Sequence, residues 1–349
     1  MVDCRQFRIL VLGLLAWLPV CLAGEDLLWR AYTKGSADKR AELAACQDKL
    51  AAIREKARTA TEAPDWATDA DVLWLLSHRT PAMLAVEREI DAKPAGHYVG
   101  ALAYLVGAIG NQRLTAGLPK LLPLAKTDGA RLQVLQAMAD HGGAKSLTEL
   151  QVFLERATAG TPCEEICVAA EGLARTGNKG YLSSVRRAYM LVQSDADSVR
   201  LAAARYRCGD ALMAGQILSV LKRKDASTQA RLNALEFFQN NPTGEAVPVV
   251  AALAAESTDE KVAEQALTTL MHMTGYGAQL GEKADAPAGE TPAENGGVAQ
   301  AGPPGPEERK KDVEVVLAWW RAHPADGPIG KTLPTRADVF AGTGGVTEH

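Results

Sequence analysis

The strongest constraint in this chain is the spacing at which its apolar stretches stop. They end at Ile109-Gly110-Asn111, His141-Gly142-Gly143, Thr176-Gly177-Asn178, Cys208-Gly209-Asp210, Asn240-Asn241-Pro242 and Thr274-Gly275. Taken at positions 110, 142, 177, 209, 241 and 275, the intervals are 32, 35, 32, 32 and 34 residues. His78-Arg79-Thr80 adds a break 32 residues before the first. Self-similarity of this length marks a repeat array, in which each unit buries its apolar face only against its neighbours.

The break residues explain themselves physically. A glycine after the last helical residue takes the left-handed conformation that a β-carbon penalises. The following Asn or Asp accepts backbone N–H groups and starts the next helix. Gly110-Asn111, Gly177-Asn178 and Gly209-Asp210 therefore predict minimal turns between antiparallel helices. Midway through each unit, Asp128, Thr161, Asp195, Asp225 and Thr258 precede another apolar run as expected N-caps, and Pro162 suits a first helical position. The second helices of the pairs are expected at 95–109, 128–141, 162–176, 196–208, 227–239 and 259–273. The first helices are expected at 80–92, 114–126, 146–158, 180–193, 211–223 and 244–255. The fold class predicted is all-α, an α-solenoid of about six helix pairs over 69–275. Composition agrees: 47% of residues are apolar and only 5% aromatic, with alanine prominent, so helices can approach closely.

The pairs resemble HEAT-like repeats. Leu105-Val106-Gly107-Ala108-Ile109-Gly110-Asn111 is similar to the family's Ala-Leu-Gly-x-Leu-Gly-Asp ending, as is Ala169-Ala170-Glu171-Gly172-Leu173-Ala174-Arg175-Thr176-Gly177-Asn178. Ser198-Val199-Arg200-Leu201-Ala202-Ala203-Ala204 resembles the Val-Arg-x-Ala-Ala opening of the same helix, although Arg205 stands where the family is usually apolar. The fifth break lacks the family's glycine. Exported bacterial members often end in a Leu-Thr-Gly turn, a loop and a helix with a Trp-Trp pair. Met273-Thr274-Gly275-Tyr276-Gly277 and Leu317-Ala318-Trp319-Trp320-Arg321 look like that turn and that helix. The resemblance spans about 69–323 and implies a right-handed superhelix. The tetratricopeptide family has a similar period, but its Trp and Tyr signature is missing.

Outside the array, residues 1–23 read as a secretory signal. Arg5 and Arg8 form a basic start, Ile9 to Val20 an apolar run, and Cys21-Leu22-Ala23 a small-residue cleavage site before Gly24. The apolar run is short for a membrane span. Residues 24–68 are expected to form a helical cap, with Leu43, Cys46, Leu50 and Ile53 on one stripe of a helix from Ala37 to Ala57. Residues 276–311, rich in Pro, Gly, Ala and Glu, are expected to be a disordered insertion. A capping helix is expected at 312–323 and a disordered tail at 324–349.

The chemistry-bearing residues do not form a recognisable site. Cys163 and Cys167 lie one helical turn apart. Dithiol catalysts favour two intervening residues and no companion Cys or His has zinc-like spacing; the open readings are a structural disulfide, which one-turn spacing would strain, and a buried core cysteine beside a partly exposed one. Cys208 is expected to be a reduced, partly buried thiol. His78 and His141 adjoin helix ends, where imidazoles suit free carbonyls; His97, His272, His323 and His349 are scattered. Gly177-Asn178-Lys179-Gly180 has no strand before it, so a phosphate loop is not expected. Lys222-Arg223-Lys224 and Arg309-Lys310-Lys311 read as solvated helix ends. Trp319 and Trp320 read as core-closing packing, and Tyr181, Tyr189, Tyr206, Phe237 and Phe238 as contacts between helices.

No catalytic, cofactor-binding or metal-ligating residue is therefore expected. The formal charge of −4 lacks the basic footprint of nucleic-acid binding. Removing residues 1–23 leaves 36 basic and 41 acidic residues, a net −5. The expectation is a monomeric, periplasmic or secreted, non-enzymatic module. It would bind a protein partner through the concave row of second helices, at positions such as Arg131, Glu171, Arg205, Gln229 and Glu264. It would carry no stable membrane span once the signal is cleaved. The alternatives are a structural spacer in an envelope assembly and an enzyme. The HEAT resemblance admits bilin lyases and metal-dependent hydroxylases, but the latter need His-Glu pairs on successive helices, and none is present.

Overall fold

The computed structural model describes residues 28–276, 305–323 and 328–329. The expected signal peptide, most of the expected insertion and nearly all of the expected tail lie outside these residues. Among the described residues, all regular structure is helical. After a helical segment at 28–33 come α1 (Ala37–Thr59), α2 (Ala70–Ser77), α3 (Arg79–Asp91) and α4 (Tyr98–Ile109). Then follow α5 (Gln112–Thr115), α6 (Leu118–Leu121), α7 (Asp128–His141), α8 (Ala144–Arg156) and α9 (Cys163–Ala174). The remainder are α10 (Leu182–Tyr189), α11 (Asp195–Arg207), α12 (Met213–Lys222), α13 (Thr228–Asn240), α14 (Val247–Glu256), α15 (Glu260–Thr274) and α16 (Pro306–Ala322).

The expected second helices appear as α4, α7, α9, α11, α13 and α15, within about three residues of the expected boundaries. Their closing glycines behave as argued: Gly110, Gly177, Gly209 and Gly275 have φ of 66°, 65°, 95° and 82°. Gly142 differs, being extended at φ −73° and ψ 140°. Where the fifth break has no glycine, the Asn241 amide donates to the Phe237 carbonyl at 3.0 Å and satisfies a helix-end acceptor itself.

The starts need correction by a residue or two. Thr127, Ser194, Ser227 and Asp259 are the N-caps, accepting from the amides of Ala130, Asp197, Ala230 and Val262. Asp128 and Asp195 instead occupy the first turn, where their charge suits the positive helix end. Thr161 accepts from the Thr158 amide, and Pro162 stands just before α9 rather than inside it. Two first helices are also shorter than expected. The run expected at 114–126 is divided into α5, α6 and a 3-10 turn at Leu122–Leu124, because Pro119 and Pro123 each remove a donor and restrict the preceding residue. The run expected at 180–193 is a 3-10 turn at Lys179–Tyr181 followed by α10, which stops at Tyr189.

The helices fall into two compact units. The first runs to Thr176 and includes Ser183–Ala188; the second comprises Gly177–Leu182 and the chain from Tyr189 on. In the first, α4 packs along α7 and α7 along α9, while α8 covers α7 and α9. Glycines set this approach: a β-carbon on Gly172 of α9 would lie 2.6 Å from the Ala139 β-carbon of α7 and 2.8 Å from its Cα. The α1 stripe of Leu43, Cys46, Leu50 and Ile53 is buried as expected, with Ala57 extending it. α1 packs on α2, α3 and α4 within this unit. Trp66, in the loop after α1, is 1% exposed, a core residue the periodicity does not reveal.

In the second unit α11 packs along α13 and α13 along α15, with α12 and α14 as the companion layer. Its core gathers Ile217, Leu235, Phe238, Val250 and Leu270. Tyr206, Phe237 and Phe238 meet edge to face at 5.1 Å, so these aromatics do join helices. The closing helix α16 packs on α14 and α15 and begins at Pro306, inside the segment expected to be disordered. Val313 and Val316 enter the core, with Trp320 packed against it. Ile329, expected to lie in a disordered tail, is 1% exposed and buried in the same cluster.

Candidate interaction surfaces

In both units, polar side chains on several of the second helices tie neighbouring helices together. In the first unit Arg131 Nε of α7 donates to Glu165 Oε2 of α9 at 2.7 Å, and its Nη2 to Asp128 at 2.7 Å. Glu165 is 1% exposed, and its Oε1 has no hydrogen-bond partner. The Glu165 carboxylate holds the Arg131 guanidinium above its ordinary range. Arg175 pairs with Asp140 one helix back. In the second unit Thr228 donates to Asp259, Asn233 to the Ala196 carbonyl at 3.1 Å, and Gln265 to Gln239 at 3.1 Å. The Thr228 hydroxyl keeps the Asp259 carboxyl below its usual value.

This geometry sorts the positions expected to present a partner surface. Gln229 and Glu264 are exposed. Arg131 and Glu171 are only half-exposed, and Arg131 is committed to Glu165. Arg205 is committed as well: its Nη2 donates to the buried Asp210 at 2.7 Å and its guanidinium lies 4.9 Å from the Tyr189 ring centre. The guanidinium of Arg205, near the end of α11, thus finds a carboxylate in the break that follows.

The remaining expected residues are placed as follows. Cys46, Cys163, Cys167 and Cys208 form no disulfide. Cys46 and Cys208 are fully buried, so Cys208 is more enclosed than expected. Burial, with Glu42 adding to it, pushes the Cys46 thiol up to about 12, and burial raises that of Cys208. The His78 Nδ1 lies 3.0 Å from the Trp74 carbonyl, and its ring stacks on Trp74 at 3.9 Å, a helix-end role in keeping with its position. The His323 Nδ1 sits equally close to the Trp319 carbonyl. Trp319 stacks on His323 and meets Tyr276 edge-on, leaving Trp320 to close the core. Among the described residues no three His, Cys, Asp or Glu side chains gather as a metal site, and no helix is long and apolar enough to cross a membrane.

Two clefts were not legible in the sequence. One of 610 Å³ in the first unit is walled by the end of α1 and the α3–α4 loop. There Arg54 pairs with Glu89, which also accepts from the Tyr98 hydroxyl at 3.1 Å. Burial and the Glu89 charge raise the Tyr98 phenol well above its ordinary value. Lys93, in the same loop, holds φ at 58°. The second cleft, 720 Å³ in volume, lies beside the Lys222-Arg223-Lys224 run. No protein-family model, curated protein or solved structure matches the chain.

Proposed function

We propose that this chain is a HEAT-like solenoid working as a non-enzymatic protein-interaction scaffold in the cell envelope or outside it, exported by its first 23 residues. The observation that carries the reading is the set of polar ties between neighbouring second helices. These are Arg131–Glu165 in one unit and Thr228–Asp259 and Asn233–Ala196 in the other. Such bonds hold neighbouring helices in register, and a surface ordered in advance loses less entropy when a partner docks. The exposed side chains between the ties, Gln229, Glu236, Glu264 and Thr268 in the second unit, offer a polar surface of mixed character. A superhelix of stacked pairs presents such a row along its concave side.

The test is copurification after crosslinking in the native host. Glu171→Lys, Gln229→Lys and Glu264→Lys together should abolish recovery of a partner that the unaltered protein recovers. Arg131 and Arg205 stay untouched because each holds a buried carboxylate. An unchanged set of crosslinked proteins would sink the proposal.

A further inference from the structure

The basic run Lys222-Arg223-Lys224 was expected to be no more than a solvated helix end. In the structure it forms the rim of the 720 Å³ cleft, whose floor is apolar, made by Val249, Ala252 and Leu253 of α14. Arg231 of α13 fixes the rim: its Nη2 donates to the carbonyls of Arg223 and Lys224, both at 2.9 Å, so the run cannot swing away freely. The four cations are not equivalent. Arg223 is satisfied by Asp195 and Asp225, and these bonds raise its pKa further. Lys222 and Lys224 are exposed and pair with no carboxylate among the described residues. Against these four cations the lining carries one carboxylate, Glu256.

We infer that this cleft is a docking site for an acidic peptide segment of a partner protein, with one apolar side chain between carboxylates. The apolar side chain would rest on Val249, Ala252 and Leu253, and the carboxylates would reach Lys222 and Lys224. Charge complementarity selects the occupant. Two uncompensated ammonium groups above an alkyl floor favour a ligand that brings both negative charge and a hydrocarbon surface, and disfavour cationic or purely polar segments. A cleft of this size falls in the range that encloses a few side chains. The cleft lining shares no residue with the exposed positions Gln229 and Glu264 named for the proposed scaffold surface.

The purified protein can be titrated by fluorescence anisotropy against a fluorescein-labelled peptide, Gly-Asp-Glu-Leu-Asp-Glu-Gly. Controls are its Asn-Gln-Leu-Asn-Gln analogue and a version with Ser for Leu. The acidic leucine peptide should bind, and raising salt should weaken it, since exposed charges are screened. Lys222→Glu with Lys224→Glu should lower affinity about tenfold. Both positions are exposed, so an unchanged circular dichroism melt is expected and shows that folding is intact. Ala252→Glu, which places a like charge on the floor, should weaken binding independently. The Ser peptide should bind several-fold less well than the Leu peptide. Equal binding of the neutral analogue, equal affinity in the lysine variant, or no binding up to about 1 mM would each overturn the assignment.

Discussion

A single methyl group can test whether glycine sets the approach of α7 and α9. Gly172→Ala adds a β-carbon 2.6 Å from that of Ala139, 2.8 Å from the Ala139 Cα and 3.1 Å from Leu150 Cδ1. A leucine tip can turn aside, but a Cα cannot, so α9 must move back from α7. Overpacking of this kind costs about 1–3 kcal/mol, against a gain of about 1 kcal/mol for replacing glycine by alanine inside a helix. The net expectation is a loss of roughly 1 kcal/mol. Gly215→Ala in α12 is the matched control. A β-carbon there meets nothing within 4 Å, so only the helix gain remains, about 0.5–1 kcal/mol of stabilisation. Urea unfolding should therefore move in opposite directions for the two variants. Amide hydrogen exchange should speed up in α7 and α9 for the first and not for the second. If Gly172→Ala stabilises as much as Gly215→Ala, glycine does not determine the helix spacing.

Three further outcomes follow from the same structure. Arg131→Ala should destabilise the first unit by about 3 kcal/mol, because Glu165 is left buried and unpaired, whereas Arg131→Met with Glu165→Met should recover most of it; equal losses in a thermal or urea melt would refute this. In the native protein lacking residues 1–23, maleimide should label half-exposed Cys163 well before Cys46 or Cys208, whose thiols are buried and held in the protonated form; early labelling of Cys46 by peptide mapping would contradict its placement. The Asp71 carboxyl is held below its usual range by hydrogen bonds from Lys49 first and then Lys56. A depressed folded-state value means this contribution is present above the unfolded carboxyl value of about 3.9 and disappears as pH falls through the folded one. The stability difference between the unaltered protein and Asp71→Asn should hold above about pH 5 and shrink below about pH 4; a gap that widens in acid would reverse the sign of the argument.

The all-helical order was readable because its signals are local. Gly110, Gly177, Gly209 and Gly275 need a backbone conformation that few residues tolerate, and they announce it wherever they stand. N-caps were harder, since Thr127 and Asp128, or Ser194 and Asp195, are adjacent residues with equally suitable oxygens. Trp66 and Ile329 were missed for a different reason: each is a single apolar residue in a stretch without periodicity, and only the surrounding fold decides that it is buried. The same holds for the candidate surfaces. Arg131 was expected on the partner-facing row, and nothing near it in sequence reveals Glu165, which sits 34 residues away. Clefts escape a one-dimensional reading altogether, because Lys222 and Val249 become neighbours only when α12 and α14 are laid side by side.

The ties between successive helices also shape how the chain can change over time. Arg131 answers to Glu165 and Arg175 to Asp140, at separations of 34 and 35 residues, close to the break-to-break interval. Loss of Arg131 leaves Glu165 buried and unpaired, so a substitution at either of these two positions is best tolerated when the other, about one period away, changes with it. Divergent copies of this protein should therefore drift in coupled steps, retaining the interval while exchanging the residues that mark it.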